Sequence, residues 1–403
     1  MSRAVGRDGC GPFGGVAGSV PVSSELPPGH PLRSAGVAQS SLIRAARGDQ
    51  GDDVPVWFMR QAGRSLPEYK ALRAGGAMLD ACFDTDMITE ITMQPVRRHG
   101  VDAAILFSDI VVPLRAAQVD VTIQAGVGPV TGAPVRDAAG VAAIGELGDT
   151  SGIEAAITRL TGELGDTPLI GFCGAPFTLA SYLVEGGPSR EHPLTKAMMW
   201  GQPEVWARLM ERVADLCGEF LRRQVLAGAS AVQVFDSWAG TLSRPDYERH
   251  VRPHTQRVLS HIADLPVPRI HFGVGTGELL GAMALPDVDV VGVDFRVELS
   301  DGISRIGPDH SVQGNLDPAA LLAPADVARA RMAHIIGQGS AARGHIVNLG
   351  HGVLPDTDAE AITDLVGWIH ENGPALRREG RRRAEGDVEG DSAPEPASGK
   401  VVP

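Results

Sequence analysis

Eight short apolar segments, separated by stretches with helical periodicity, constrain the fold of this chain more than any other sequence feature. Each segment has the length and the β-branched or aromatic content of a buried strand, and each is bounded by Gly, Pro, Asp or Asn. The segments are 54–59, 103–108, 168–173, 231–235, 269–273, 290–294, 311–315 and 345–349. Such alternation predicts parallel strands in a single α/β domain, a (β/α)8 TIM barrel. A doubly wound open sheet is the alternative.

The two ends of the 403-residue chain differ in composition from its middle. We predict a disordered N-terminal extension over 1–38, a barrel catalytic domain over 39–376 and a disordered C-terminal tail over 377–403. An organelle transit peptide is the alternative for the N-terminal extension. Within the barrel, Asp84 precedes a predicted helix, and residues from about 117 to 131 predict a β-hairpin inserted between barrel units.

Charge and cysteine content exclude several classes of function. A net charge of −13 argues against a nucleic-acid partner, which requires a basic surface. No apolar run approaches the roughly 18 residues of a membrane helix, and the N-terminus lacks a secretory signal. The four cysteines lie far apart, so neither a disulfide framework nor a zinc site is indicated. We therefore expect a soluble protein of the reducing cytoplasm.

Two arginines, Arg60 and Arg64, follow the C-terminal end of the first apolar segment, and Arg73 lies shortly after them. Chemistry in α/β barrels is located at the C-terminal ends of the strands. A guanidinium group stays charged and matches the planar fork of a carboxylate or phosphate. This cluster predicts a polyanionic ligand.

Polar residues follow the other strands as well. Asp109 lies in LFSDIVVP between apolar neighbours, so its carboxylate is expected to be buried and paired. His351 lies between two glycines at the end of the last strand, where a functional role is favoured over that of a core histidine. We interpret Asp317 and Asp294 as helix caps. Ser237 lacks the GxSxG elbow of a nucleophilic serine.

One glycine-rich segment, GVGTGE at 273–278, has the appearance of a nucleotide-binding loop. Glu278 occupies the sixth position, so GxGxxG is not satisfied, and no Walker lysine is present. We interpret these glycines as permitting close approach of the backbone.

Several motifs, in order across about residues 40–370, resemble the uroporphyrinogen decarboxylase family. They are PVWFMRQAGRSLPEYK, LFSDIVVP, GAPFTLASYLVEGG, HFGVGTGELLGAM, QGNLDP and NLGHGVLPDTD. The chain departs from the family pattern at Ser65, where the family usually has tyrosine, and this affects the expected packing of the loop more than the chemistry.

The resemblance implies a TIM-barrel homodimer that works without metal or organic cofactor. Its activity would be that of a carboxy-lyase in heme biosynthesis, converting the four acetate groups of uroporphyrinogen III to methyls and yielding coproporphyrinogen III. The implied catalytic residues are Asp109, Arg60 and His351. The implied substrate-binding residues are Arg60, Arg64, Arg73, Asp109, Tyr182, Phe235, Ser237 and His351.

Physical chemistry is consistent with these roles. An ionised Asp109 can accept hydrogen bonds from several pyrrole N–H groups, and the arginines can pair with substrate carboxylates. We expect Asp109 to stabilise the cation formed when the pyrrole ring is protonated. His351 and ordered water are better proton donors than Arg60, but the sequence does not rank them. A buried core tyrosine is the alternative reading of Tyr182.

Two other functions are weighed against this one. A cobalamin-dependent or methanogenic methyltransferase would need zinc ligands in a His-x-Cys arrangement, whereas this chain has His271-Phe272-Gly273 and no cysteine after Cys217. A non-catalytic tetrapyrrole carrier would keep the pocket without turnover, and no residue change favours it.

Overall fold

A curled parallel sheet forms the centre of the molecule. The structure is a computed structural model and describes residues 25–63, 65–73 and 76–390. In the described chain, seven strands pair in the order β1-β4-β5-β6-β7-β8-β9, and β2 and β3 form a separate antiparallel hairpin. The strands are β1 Ala104–Ile105, β2 Val121–Gln124, β3 Gly128–Thr131, β4 Leu169–Gly174, β5 Ala231–Asp236, β6 Arg269–Gly273, β7 Val290–Gly292, β8 Ser311–Gln313 and β9 His345–Ile346.

The first predicted strand, 54–59, lies between the two edges of this sheet. It forms a single parallel bridge, from Val56 to Val347 beside β9. On its other side the Asp102 amide donates to the Val56 carbonyl at 2.9 Å, just before β1. Pro55 has no N–H to donate, which limits a regular ladder. The segment thus occupies the eighth position and links both sheet edges, which confirms the TIM-barrel fold class; the sequential strand order excludes the doubly wound alternative.

Helices surround the sheet and connect successive strands. They are α1 Ala35–Ala38, α2 Ser41–Arg47, α3 Pro67–Leu72, α4 Met78–Ala81, α5 Thr85–His99, α6 Val112–Ala116, α7 Ala138–Ala142, α8 Ser151–Glu163, α9 Pro176–Glu185, α10 Pro193–Gly201, α11 Pro203–Ala227, α12 Arg244–His250, α13 Arg252–Ser260, α14 Leu280–Met283, α15 Leu299–Ile306, α16 Ala325–Gly339 and α17 Ala359–Gly390. Short 3-10 turns cover Pro31–Arg33, Ala239–Thr241, Gly277–Leu279 and Pro318–Leu322. Of the helices in the described chain, none is both long and apolar enough to cross a bilayer.

Local signals explain where individual elements begin and end. Helix α5 begins after Asp84, whose carboxylate accepts the Met87 amide at 2.9 Å, and ends at Gly100 in the left-handed conformation. The predicted helix after Asp84 and the predicted hairpin are both confirmed. Strand β4 is buried along its whole length, because helices cover the outer face of the sheet and the inner face lines the packed interior of the barrel.

Both ends of the ordered domain extend beyond the predicted boundaries. Residues 25–38 include a 3-10 turn and α1, and His30, 4% exposed, bonds the Val225 carbonyl at 3.0 Å. At the other end α17 continues to Gly390, and Arg377 is 1% exposed with its Nε donating to the Gly51 carbonyl. The predictions of disorder up to residue 38 and from residue 377 are therefore wrong for these segments. Residues 1–24 and 391–403 lie outside the described residues.

Candidate active site

The predicted site residues follow several different strands at one face of the sheet. Because all the strands of the main sheet are parallel, their C-terminal ends lie at the same face. Asp109 follows β1, Tyr182 lies in the helix after β4, Ser237 follows β5 and His351 follows β9. The fold thus brings residues distant in sequence to one end of the barrel.

Asp109 is held by the backbone of its own loop. The Val111 amide donates to its Oδ1 at 3.1 Å, and the side chain is only partly exposed. Burial raises the pKa of Asp109, while the Val111 hydrogen bond and the positive charge of Arg60 oppose that rise. Cys82, fully buried, is close enough for the Asp109 charge to add to the burial that raises the pKa of its thiol. The site therefore presents a partly buried carboxylate within electrostatic range of a cation.

Arg60 approaches the site with an unusual backbone. Its φ of 62° lies in the left-handed region, which residues with a side chain rarely adopt. Its exposed side chain crosses Gly352, where a Cβ would lie 2.5 Å from Cδ of Arg60. A glycine at this position thus leaves room for the arginine beside the last strand end.

The ring of His351 is oriented by the next residue. Its Nδ1 accepts the Gly352 amide at 2.7 Å, so in the neutral ring the proton lies on Nε2. The side chain is partly buried. Arg60 and His351 are therefore neighbours through Gly352, as their common location at strand ends predicts.

Tyr182 faces the same charged groups from helix α9. It is 9% exposed, and its ring stacks on that of Trp238 with centroids 4.0 Å apart and planes tilted by 35°. Burial raises the pKa of Tyr182 to about 12; the Asp109 carboxylate adds to the rise and Arg60 opposes it. Tyr182 is therefore within electrostatic range of Asp109 and Arg60, and its role in the site stays a prediction.

Phe235 and Ser237 contribute from the end of β5. The Phe235 ring is partly exposed and packs edge to face against Phe172 at 5.3 Å and Phe272 at 6.1 Å. Ser237 is also partly exposed and directly precedes Trp238. Both residues thus lie at the C-terminal end of β5, at the same end of the barrel as Asp109 after β1.

The remaining predicted arginines differ in their placement. The guanidinium of Arg73 donates to the carbonyls of Gly76 at 3.0 Å and Ala77 at 3.2 Å, just before α4. Its charge reaches Cys82, the neighbour of Asp109. Arg64 lies outside the described residues.

Sequence reasoning missed or misread some polar residues around the site. Trp238 and Thr178 were not identified, because their importance arises from contacts between β5 and α9. Asp317 caps the turn at Pro318–Leu322, accepting the Ala319 amide at 2.9 Å, as predicted. Asp294 is not a helix cap: it accepts the Gly275 amide at 3.0 Å and pairs with Arg296 at 2.6 Å.

The backbone of the glycine-rich segment 273–278 packs tightly against Gly240. Gly275 has a φ of +68°, and a Cβ on Gly240 would lie 2.3 Å from the Val274 carbonyl. Within the described chain, no three His, Cys, Asp or Glu residues cluster as metal ligands. The residues around Asp109 can hold an anion with Arg60, accept hydrogen bonds at Asp109 and exchange a proton through His351.

Comparison with known proteins identifies the family. A family profile described as uroporphyrinogen decarboxylase matches residues 38–372. The uroporphyrinogen decarboxylase of Salinispora tropica is 58% identical over 336 residues, covering 83% of this chain and 91% of the relative. That of Frankia casuarinae is 55% identical over 368 residues, covering 90% and 97%. A methyltransferase from Methanosarcina mazei shares the fold, with a TM-score of 0.66 and 17% identity over 85% of this chain and 98% of that one. The chain belongs to the uroporphyrinogen decarboxylase family.

Proposed function

We propose that this protein removes the four acetate carboxylates of uroporphyrinogen III and releases coproporphyrinogen III, a step of heme biosynthesis. The observation that carries the proposal is Asp109, a partly buried carboxylate that shares its surroundings with Arg60 and Tyr182. A macrocycle with four inward N–H donors and a rim of carboxylates requires one central acceptor and several peripheral cations. Family membership supports the same activity.

Asp109 is the proposed centre of substrate recognition. Its Oδ1 accepts the Val111 amide, so the carboxylate direction is set before substrate binds. The remaining lone pairs can accept converging pyrrole N–H groups. A fixed anion in a partly desolvated site also stabilises a cation on the pyrrole ring, the type of preorganised interaction that dominates many enzymes.

The other predicted residues are proposed either to bind the substrate carboxylates or to form an apolar surface of the pocket. Arg60, Arg64 and Arg73 are proposed to pair with substrate carboxylates, and Tyr182 and Ser237 to donate hydroxyl hydrogen bonds to them. Phe235 is proposed as an apolar wall that limits access of water.

The proposed reaction uses the pyrrole ring as its own electron sink. A proton adds to the ring carbon next to the one that bears the acetate, which leaves the ring cationic. The bond to the carboxylate then breaks, its electrons form an exocyclic double bond and carbon dioxide leaves. A proton adds to the exocyclic carbon to form the methyl group, and loss of the first proton restores the ring. His351, water and Arg60 are proposed as donors of this proton, and for His351 the donation requires the protonated imidazolium.

The test is anaerobic incubation with uroporphyrinogen III, followed by oxidation and chromatographic separation of the porphyrins. We expect hepta- to tetracarboxylate products to accumulate in sequence. Binding without any product from folded protein would contradict the proposal and indicate a tetrapyrrole carrier. Zinc bound in a stoichiometric amount would instead point to the methyltransferase chemistry.

We further propose that the protein is a cytoplasmic homodimer, as the family resemblance implies. Light scattering of the purified protein should give twice the mass of the chain. A monomeric mass in active protein would contradict the dimer.

A further inference from the structure

We infer that Thr178 is a positioning residue: a hydrogen-bond chain from Asp236 through Thr178 fixes Trp238, and the Trp238 ring orients Tyr182 in the active site. This inference rests on the proposed function. None of its three outer members, Asp236, Thr178 and Trp238, was predicted as a site residue from the sequence.

Asp236 is the buried anchor of the chain. It ends strand β5 and is 0% exposed, and its Oδ1 accepts the Thr178 hydroxyl at 3.1 Å. His271, also 0% exposed, places Nε2 at 3.8 Å from its Oδ2. That distance is too long for a hydrogen bond and Oδ2 has no hydrogen-bond partner in the described chain, so losing the Thr178 hydroxyl would carry a large desolvation penalty. Asp236 therefore fixes the direction of the Thr178 hydroxyl.

Thr178 uses both hydrogen-bonding roles of its hydroxyl. The hydroxyl donates its hydrogen to Oδ1 of Asp236, and its oxygen accepts the Trp238 amide at 3.3 Å. Thr178 lies in α9, and Asp236 and Trp238 flank Ser237. One side chain thus attaches the turn after β5 to the helix that carries Tyr182.

The Trp238 ring transmits this placement. Its centroid lies 4.0 Å from the centroid of the Tyr182 ring and 4.4 Å from the centroid of the His192 ring. His192, 1% exposed, packs in turn against Phe177 at 6.2 Å. The Trp238 ring packs against two other rings. A displacement of the Trp238 backbone would therefore be passed on to Tyr182 and change its position relative to Asp109.

The test compares three substitutions on one helix. Thr178→Val keeps the shape but removes both hydrogen bonds, and we expect kcat/KM for uroporphyrinogen III to fall about 10-fold or more, as expected for displacement of a site group by a fraction of an ångström. Thr178→Ser retains the hydroxyl and should restore kcat/KM to within about 3-fold of the parent protein. Ser181→Ala is the matched control: this hydroxyl is equally buried but bonds only the Phe177 carbonyl at 2.7 Å within α9.

A second variant keeps the inference testable if Thr178→Val does not fold. Trp238→Leu leaves the amide for Thr178 but removes the stacked ring, and we expect a similar loss. Near-ultraviolet circular dichroism gives a readout independent of activity: the signal lost in Trp238→Leu should also weaken in Thr178→Val and persist in Ser181→Ala.

The outcomes separate the two proposals. An inactive parent protein contradicts the proposed function, while the dichroism comparison still tests the chain. Active parent protein with normal kcat/KM in Thr178→Val or Trp238→Leu overturns the positioning role, as does an equal loss in Thr178→Ser.

Discussion

At the scale of single residues, the fold holds Arg60 in an unfavourable backbone conformation and places Asp109 where its charged form is disfavoured. Arg60 has a left-handed backbone with a φ of 62°, and burial raises the pKa of Asp109. Such costs persist in folded proteins when the surrounding structure enforces them, and they concentrate at functional sites. Both residues therefore fit a site in which binding function opposes stability.

We predict that Asp109→Asn lowers turnover about 100-fold or more, because the shape remains while the anion is lost. The same change should not lower the melting temperature at pH 7. The raised pKa means that the ionised carboxylate is disfavoured in the folded state, so the neutral amide removes that penalty. Any gain should shrink as the pH falls through the folded pKa. Melting curves against pH, with kinetics at pH 7, check both parts; a variant that is active or clearly less stable would contradict them.

We predict that Gly352→Ala displaces Arg60. The added Cβ would lie 2.5 Å from Cδ of Arg60, so the arginine must move away from the last strand end. We expect kcat/KM to fall about 10-fold or more with the fold intact. Gly367→Ala is the control, since a Cβ there meets nothing within 4 Å. Equal kinetics for the two variants would argue against a role for the Arg60 position.

Sequence reasoning predicts candidate site residues where the local sequence marks the end of a strand. Asp109 lies between apolar residues at a strand end, and His351 lies between glycines, so their placement follows from strand order alone. Trp238 and Thr178 could not be identified in this way, because their contacts join β5 to α9. Asp294 was misread because its partner, the Gly275 amide, belongs to the loop after the preceding strand.

At the scale of elements, helix α17 shows how far a composition-based boundary can mislead. The run rich in arginine that suggested a tail packs against the start of the barrel. Arg377 donates to the Gly51 carbonyl, and Arg381 donates to the Gln50 carbonyl at 2.7 Å. Backbone carbonyls of another segment are partners that sequence patterns do not reveal.

A histidine also attaches this helix to the barrel, and we predict that the attachment depends on pH. His370 Nε2 lies 2.9 Å from Oδ2 of Asp102, and this hydrogen bond raises the pKa of His370. The raised value means that the pair stabilises the fold fully below the unfolded pKa of about 6.5 and loses this contribution as the pH rises through the folded pKa. His370→Gln should therefore lower the melting temperature most in mildly acidic buffer.

The control for this prediction is His334→Gln. His334 pairs with Glu298 at 2.6 Å, but both side chains are more than half exposed, where an ion pair contributes little. We expect almost no change in melting temperature for the control. A deficit in His370→Gln that is constant from acidic to alkaline pH would contradict the proposed linkage.

At the scale of the whole molecule, the position of the domain boundary has a direct test. A chain ending at residue 376 loses Arg377 and the rest of α17, whereas one ending at 390 keeps the helix. We predict a lower melting temperature for the shorter chain, by about 2–4 °C for each kcal/mol lost. The chain ending at 390 should match the full-length protein. Equal melting temperatures for the two truncated chains would restore the boundary predicted from composition.

Closure of the barrel relies on few backbone hydrogen bonds. Segment 54–59 meets β9 through the Trp57 amide and the Val347 carbonyl at 3.3 Å and through the Val347 amide and the Pro55 carbonyl at 2.8 Å. Trp57 also donates to Gln313 at 3.1 Å inside the barrel. This segment is the one predicted strand that the fold builds as a bridge, since Pro55 could not complete a ladder.

We call the contact between segment 54–59 and Val347 the seam; because Arg60 directly follows this segment, we expect opening of the barrel and release of the substrate to be thermodynamically linked. A ligand that needs Arg60 in place favours the closed seam by an amount that grows with its concentration relative to its dissociation constant. We therefore expect the amides of Trp57 and Val347 to exchange with deuterated solvent faster than those in the middle of β5, and to be protected when coproporphyrinogen binds. Hydrogen exchange measured by mass spectrometry, with and without the product, would report this coupling; unchanged rates at the seam would refute it. Binding of the tetrapyrrole would then stabilise closure of the barrel at its eighth strand position.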